Sequence, residues 1–187
     1  VRYWILEKIL TQSEDALDEI SSLTRNSAGT WVNTSRRMMT WPQQIHKNLQ
    51  NEGSLHVRCS GPHWGLACNG IHFLDLVSWW TGEKLIKIDS SELDTEWIES
   101  KRKGFFDITG KITAVFSEGS TLILEARLDG PPISLEVDTQ MGTWKIDELN
   151  GVASKANGFL ISGKIETQSS MTSRLVDNLQ KVGNCYL

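Results

Sequence analysis

The sequence predicts an α+β protein, and three observations carry that expectation. Residues 1–33 read as strand, helix, strand, the grammar of a parallel α/β sheet. Residues 112–146 alternate apolar and polar side chains between turn signals, the grammar of an antiparallel meander. Two stretches, 66–80 and 171–182, repeat apolar residues at helical spacing.

Tyr3-Trp4-Ile5-Leu6 is a run of β-favouring residues and predicts the first strand. Thr11-Gln12-Ser13-Glu14 fits a capping box, and Ala16, Leu17, Ile20 and Leu23 follow on one helical face. Ala28-Gly29 closes this helix, and Trp31-Val32-Asn33 predicts a second strand. A parallel sheet needs both faces covered, so two strands read as the tail of a domain whose front is absent. From Trp41-Pro42 a short helix is expected to about Leu49, with proline tolerated in its first turn. Leu55, Val57 and Cys59 alternate as a half-buried strand that Ser60-Gly61-Pro62 breaks. The long helix from Leu66 to Trp80 stops at Thr81-Gly82-Glu83, where Gly82 suits a left-handed cap. A short strand from Leu85 to Ile88 follows.

Ile112, Ala114 and Phe116 alternate up to a turn at Glu118-Gly119, and Leu122, Leu124 and Ala126 alternate back. Asp129-Gly130-Pro131-Pro132 turns the chain into Ile133, Leu135 and Val137, and Gln140-Met141-Gly142 turns it into Trp144 and Ile146. Such a meander leaves one face open to another protein chain. Met171, Leu175, Leu179 and Val182 share one face of a final helix, with Gly183 as its stop.

Composition narrows the class. A chain of 187 residues with 39% hydrophobic and 22% charged residues buries a sizeable core and is ordinary for a soluble globular protein. The net charge is -4, and the basic clusters are only Lys101-Arg102-Lys103 and Arg36-Arg37, which argues against a nucleic-acid surface. No apolar run approaches the ~20 residues of a membrane span. Three cysteines, Cys59, Cys68 and Cys185, argue against a disulfide framework and for a reducing, cytoplasmic setting. Eight tryptophans against two tyrosines supply core mass, with a few available as a stacking floor for a sugar or a base.

The helix from Leu66 to Trp80 holds the densest chemistry. Cys68, His72 and Asp75 stand at i, i+4 and i+7 and share a face. A carboxylate one turn from a histidine fixes its tautomer and raises its basicity, so the pair suits acid/base work; the plainer reading is a core histidine with a structural partner. Cys59, His63, Cys68 and His72 are all zinc-type ligands, although their spacing matches no standard finger. Lys8, preceded by Glu7, follows the first strand, where a parallel sheet presents its carboxyl ends to ligands. A lysine there can donate a proton to a substrate oxygen, or simply be solvated. Asn33 and Arg37 stand at the end of the second strand, where they either grip substrate hydroxyls or a carboxylate or line an ordinary loop.

Taken in order, these pieces resemble the glucose–fructose oxidoreductase, inositol dehydrogenase and MocA-like family. Leu6-Glu7-Lys8-Ile9-Leu10 is similar to its Glu-Lys-Pro segment, Ser13-Glu14-Asp15-Ala16 to its next helix, and Asn33-Thr34-Ser35-Arg36-Arg37 to its Asn-x-x-Arg-Arg/Phe stretch. Trp64-Gly65, then Gly70-Ile71-His72-Phe73-Leu74-Asp75-Leu76 and Trp79-Trp80-Thr81-Gly82-Glu83, resembles its Gly-x-His-x-x-Asp-Leu helix and the Trp-x-x-Gly-Glu that ends it. Met171 to Leu187, ending Gly183-Asn184-Cys185-Tyr186-Leu187, is similar to its final helix and Gly-x-Cys-x-Leu-Pro tail.

The resemblance implies a Rossmann remnant at 1–33 and, at 34–187, an α+β substrate-binding and oligomerisation domain with a large open sheet and helices on one face. It further implies NAD or NADP as cofactor in the intact parent and a sugar or nucleotide-sugar substrate, with surface-polysaccharide sugars as the expected subgroup. Lys8 and His72 would act at the reacting hydroxyl, Glu7 and Lys8 would face the cofactor, and Asn33, Arg37, Trp64, Asn69 and Asp75 would line or support the sugar pocket. Two positions depart from the pattern: Ile9 replaces the proline, often cis, after the lysine, and Cys68 replaces the aspartate often found four residues before the histidine. These departures support a second expectation, a catalytically degenerate sugar-binding or assembly module. No G-x-G-x-x-G occurs in these 187 residues, so the chain alone is expected to bind dinucleotide poorly.

Overall fold

The computed structural model describes residues 2–100 and 102–182. Lys101, Gly183 and the Gly183–Leu187 tail with Cys185 lie outside the described residues, as does the side chain of Val182. Packing divides the chain into two units, residues 1–39 with 166–187, and residues 40–165. The final helix groups with the opening segment, which its sequence pattern does not signal.

In the first unit, β1 (Tyr3–Leu6) pairs in parallel with β2 (Gly29–Val32). The connecting helix α1 (Glu14–Thr24) is capped by Ser13, whose side chain accepts from the Ala16 amide. Thr11, expected as the cap, instead accepts from the Ser13 amide. The apolar face of α1 is not buried: Leu17 and Leu23 are 46% and 65% exposed. A 3-10 turn, Ser35–Met38, follows β2. Helix α4 (Gln168–Val182) buries Met171, Leu175 and Leu179, and its Arg174 both donates to the Met38 carbonyl and pairs with Glu166.

The second unit opens with α2 (Thr40–Leu49) and β3 (His56–Pro62), followed by α3 (Leu66–Thr81) and β4 (Leu85–Glu99). Strands β5 (Phe106–Phe116), β6 (Thr121–Arg127), β7 (Ser134–Thr139), β8 (Gly142–Asp147), β9 (Val152–Lys155) and β10 (Leu160–Ser162) complete it. The eight strands form one sheet in the order β10-β9-β8-β7-β3-β6-β5-β4. Every pair is antiparallel except β3 with β6. The expected meander is therefore interrupted, because β3 sits between β6 and β7.

Strand β3 also runs through Ser60-Gly61-Pro62, where a break was expected, since these residues pair with Glu125, Ala126 and Arg127. Gly61 allows this continuation: a Cβ there would lie 2.6 Å from the Ile133 Cα. Strand β4 extends eleven residues beyond the expected end at Ile88, to Glu99. It is an edge strand, almost wholly exposed and broken by three register shifts, so no apolar alternation marks it.

One face of the sheet carries the core. Val57 and Cys59 on β3 stand beside Leu122 and Leu124 on β6 and Val137 and Leu135 on β7. Trp41, Ile45 and Leu49 of α2, and Leu66, Phe73, Leu76, Val77 and Trp80 of α3, pack in the same cluster. Both helices thus cover one face, as expected.

Candidate functional site

The first unit brings three of the expected residues together at the carboxyl ends of its parallel strands. Glu7 follows β1, and its Oε1 accepts from the Lys8 amide at 3.1 Å. Its Oε2 accepts from Asn33 Nδ2 at 3.2 Å. The Asn33 amide donates to the Leu6 carbonyl, which carries the β1–β2 ladder one step past β2. Glu7 therefore ties the two strand ends and holds Asn33 beside Lys8, which is half-buried. The Lys8–Ile9 peptide is cis. Arg37 lies in the 3-10 turn that starts two residues after Asn33 and is half-buried.

In the second unit the expected residues lie on α3 and the loop before it. That loop bends sharply: His63 and Gly65 both have positive φ, 42° and 84°. Trp64 Nε1 donates to the Glu125 carbonyl at 2.9 Å, and its ring meets Phe73 edge-on at 5.5 Å. Asn69 Nδ2 donates back to the Trp64 carbonyl at 2.8 Å, locking the loop to the first helical turn. His72 and Asp75 are half-buried on the flank of α3, outside its buried set, and His72 Nδ1 is withdrawn from solvent. Cys68 is exposed.

The zinc arrangement does not form. Cys59 is wholly buried in the sheet core, whereas His63 and Cys68 are exposed. Among the described residues no three His, Cys, Asp or Glu side chains gather to hold a metal ion.

Sequence reasoning passed over two carboxylates that shape this unit. Glu83, only 6% exposed, accepts from the Glu118 and Ser120 amides and from the Ser120 hydroxyl, and so holds the β5–β6 turn. Its position in Thr81-Gly82-Glu83 was visible, but its partners lie 35 and 37 residues away. Asp107 accepts from the Ala67 amide at the start of α3, again over a distance that no local pattern signals.

No family model matches the sequence, and no curated protein does so either. Solved structures match the fold. UDP-N-acetylglucosamine 3-dehydrogenase GnnA from Acidithiobacillus ferrooxidans aligns over 96% of this chain and 62% of its own, with a TM-score of 0.69 at 12% identity. An oxidoreductase from Agrobacterium radiobacter, solved with NAD+, L-tartaric acid and magnesium, aligns over 96% and 63%, with a TM-score of 0.66 at 16% identity. The myo-inositol dehydrogenase of Lactobacillus casei, solved with NAD(H) and myo-inositol, aligns over 95% and 57%, with a TM-score of 0.57 at 17% identity.

Over the aligned residues this chain has the fold of these oxidoreductases. The large, mostly antiparallel sheet with α2 and α3 on one face lies within the part of the fold that this chain shares with these solved structures. The chain spans about three fifths of the length of the dehydrogenases it matches.

Proposed function

We propose that this chain supplies the substrate side of an NAD(P)-dependent oxidoreductase acting on a sugar or nucleotide-sugar hydroxyl or carbonyl. The carrying observation is the dehydrogenase fold itself, matched over nearly the whole chain; Lys8 and His72 enter this reading through the sequence resemblance. The nicotinamide, when bound, exchanges a hydride with the sugar carbon. Glu7, Lys8 and Asn33, grouped at two parallel strand ends, fit the substrate-facing edge of such a cofactor site. The glycine-rich phosphate turn is not among these 187 residues, so the chain alone binds dinucleotide poorly.

Within this reading the Lys8 ammonium holds the substrate oxygen and limits its charge, and His72 takes or returns the hydroxyl proton. Asp75, one turn from His72, orients it. Asn33, Arg37 and Asn69 bind sugar hydroxyls or a charged substituent, and Trp64 supports the pocket wall. The uncovered face of the sheet joins copies of the protein, and surface-polysaccharide sugars in the cytoplasm are the substrate subgroup.

The test uses the complete gene product with NAD+ and NADP+ against UDP-N-acetylglucosamine, myo-inositol and a broad sugar panel. Turnover should fall by about 10²-fold or more in Lys8→Met and His72→Gln. Absence of both turnover and cofactor binding across the panel would overturn the reading. Cys68, exposed four residues before His72 where the family often has an acid, favours a second reading as a sugar-binding or assembly module. That reading predicts sugar binding and self-association with redox rates untouched by Lys8→Ala.

A further inference from the structure

A helix begins with backbone amides that have no partner inside it, and a side chain at the N-cap ordinarily accepts from the second or third of them. Helix α3 has no such side chain of its own. Its N-cap is Gly65, in the left-handed conformation (φ 84°, ψ 58°), with no side-chain cap. Asn69, in the first turn, turns its amide backward to the Trp64 carbonyl and serves the loop. The missing acceptor comes from another element: Asp107 on β5, 40 residues away in sequence, accepts from the Ala67 amide through Oδ1 at 2.9 Å. Ala67 is the second residue of the helix, the place an N-cap side chain would serve. A carboxylate here also complements the positive end of the helix dipole.

Asp107 is 7% exposed. Ala114 and Phe116 are the buried members of the upper half of β5, whereas Asp107 and Thr109, of opposite parity, are the buried members of the lower half. Between the two halves stands Gly110, whose φ is +108°. Only glycine fits there, since a Cβ would lie 2.5 Å from the Glu92 carbonyl oxygen and 2.6 Å from the Asp94 amide nitrogen. A Cβ on Gly65 would lie 2.8 Å from Asn69 Nδ2 and 3.8 Å from Asp107 Oδ2, so cap, loop and strand meet around one bare Cα.

We propose that Asp107 is the positioning residue for the substrate-facing side of α3. It holds the first turn through the Ala67 amide and thereby sets where Asn69, two residues on, and His72, five residues on, present their side chains. Asp107 does not itself touch substrate. The inference rests on the proposed roles of Asn69 and His72. Displacement of a reacting group by about 1 Å costs on the order of 10²-fold in rate, so a cap lost at this point matters beyond its worth to stability.

The experiment compares Asp107→Ala, Asp107→Asn and Asp107→Ser in the complete gene product, below the unfolding temperature of each. Asparagine keeps an acceptor at the same reach, alanine removes it, and serine shortens it. With UDP-N-acetylglucosamine or myo-inositol, whichever is turned over, Asp107→Ala should lower kcat by about tenfold or more, with KM changed much less. Asp107→Asn should restore kcat to within about threefold. His72→Gln and Asp107→Ala combined should cost no more than His72→Gln alone. The second readout is independent of turnover: the imidazole nitrogen shifts of His72 should move in Asp107→Ala and Asp107→Ser and stay in place in Asp107→Asn. Unmoved His72 shifts in a folded Asp107→Ser or Asp107→Ala protein would overturn the proposal, as would additive losses in the double variant. If His72→Gln leaves turnover intact, the functional reading fails, and the ring shifts still decide whether Asp107 sets the first turns of α3.

Discussion

Lys155 Nζ lies 2.6 Å from Glu52 Oε1, a pair in which each side chain is only 10% exposed. It joins the segment before β3 to β9, across 103 residues of chain. The other carboxylate oxygen accepts from Trp144 Nε1 at 2.9 Å and Thr139 Oγ1 at 2.8 Å, and Lys155 sits 4.8 Å above the Trp144 ring. Removing the cation leaves a buried carboxylate with only neutral donors. Lys155→Met is therefore expected to lower unfolding stability by about 3 kcal/mol, the scale of a broken buried pair. Urea unfolding followed by tryptophan fluorescence measures it, and a loss below about 1 kcal/mol would show the pair to be solvent-screened.

The same carboxylate gives the protein an acid limb. Burial works to raise the Glu52 pKa, but hydrogen bonds from Lys155, Trp144 and Thr139 and the charge of Lys155 outweigh it, holding the group below its ordinary value. A depressed folded-state pKa contributes stability that is complete above the unfolded-state value, about 4.3 for glutamate. That contribution is lost as pH falls through the lower, folded-state value. Stability measured from pH 6 downward should fall more steeply in the native protein than in Glu52→Gln.

Glu83 has three donors pointed at it: the Glu118 amide, the Ser120 amide and the Ser120 hydroxyl. Ser120 Oγ in turn accepts from the Leu55 amide. In Glu83→Gln one acceptor oxygen replaces two, so either a backbone amide loses its acceptor or the Ser120 hydroxyl must turn away and accept. The expected loss is about 1–3 kcal/mol, seen as a lower urea midpoint with an unchanged slope.

How much of this was legible in the sequence depended on how local each relationship is. Helix α3 and the β5–β6 hairpin were readable because Leu66, Phe73 and Leu76, and Leu122, Leu124 and Ala126, carry their period within one element. Strands β9 and β10 were not, since they are four and three residues long and β10 leaves Leu160 exposed. The insertion of β3 between β6 and β7 is set by pairing partners 65 or more residues away, which no window reveals. The grouping of Glu7, Lys8 and Asn33 was readable because parallel strand ends collect polar residues. Asp107 was not, because its meaning comes from a helix start in a different element, 40 residues away in sequence.

Gly151 marks the tightest approach in the second unit. It has φ +63°, its carbonyl accepts from the Gly163 amide at 2.8 Å, and a Cβ there would stand 1.6 Å from the Gly163 carbonyl oxygen. Gly151→Ala must push these two backbones apart. A loss of about 1–3 kcal/mol is expected, with faster hydrogen exchange at the Gly163 amide as the local signature. Unchanged exchange at Gly163 would place the strain elsewhere.

The one parallel pair among the described strands of the eight-stranded sheet, β3 beside β6, also bears on the order in which that sheet can be assembled. His56 meets Thr121 and Asp138, so β3 emerges early and waits for both of its neighbours. Until they are made, its amides and carbonyls line two open edges, a template for pairing with other chains. Nascent or shortened chains that end before Thr121 should therefore be the aggregation-prone ones. Chains that reach Thr139 can enclose β3, at the slow rates expected of long-range strand pairing.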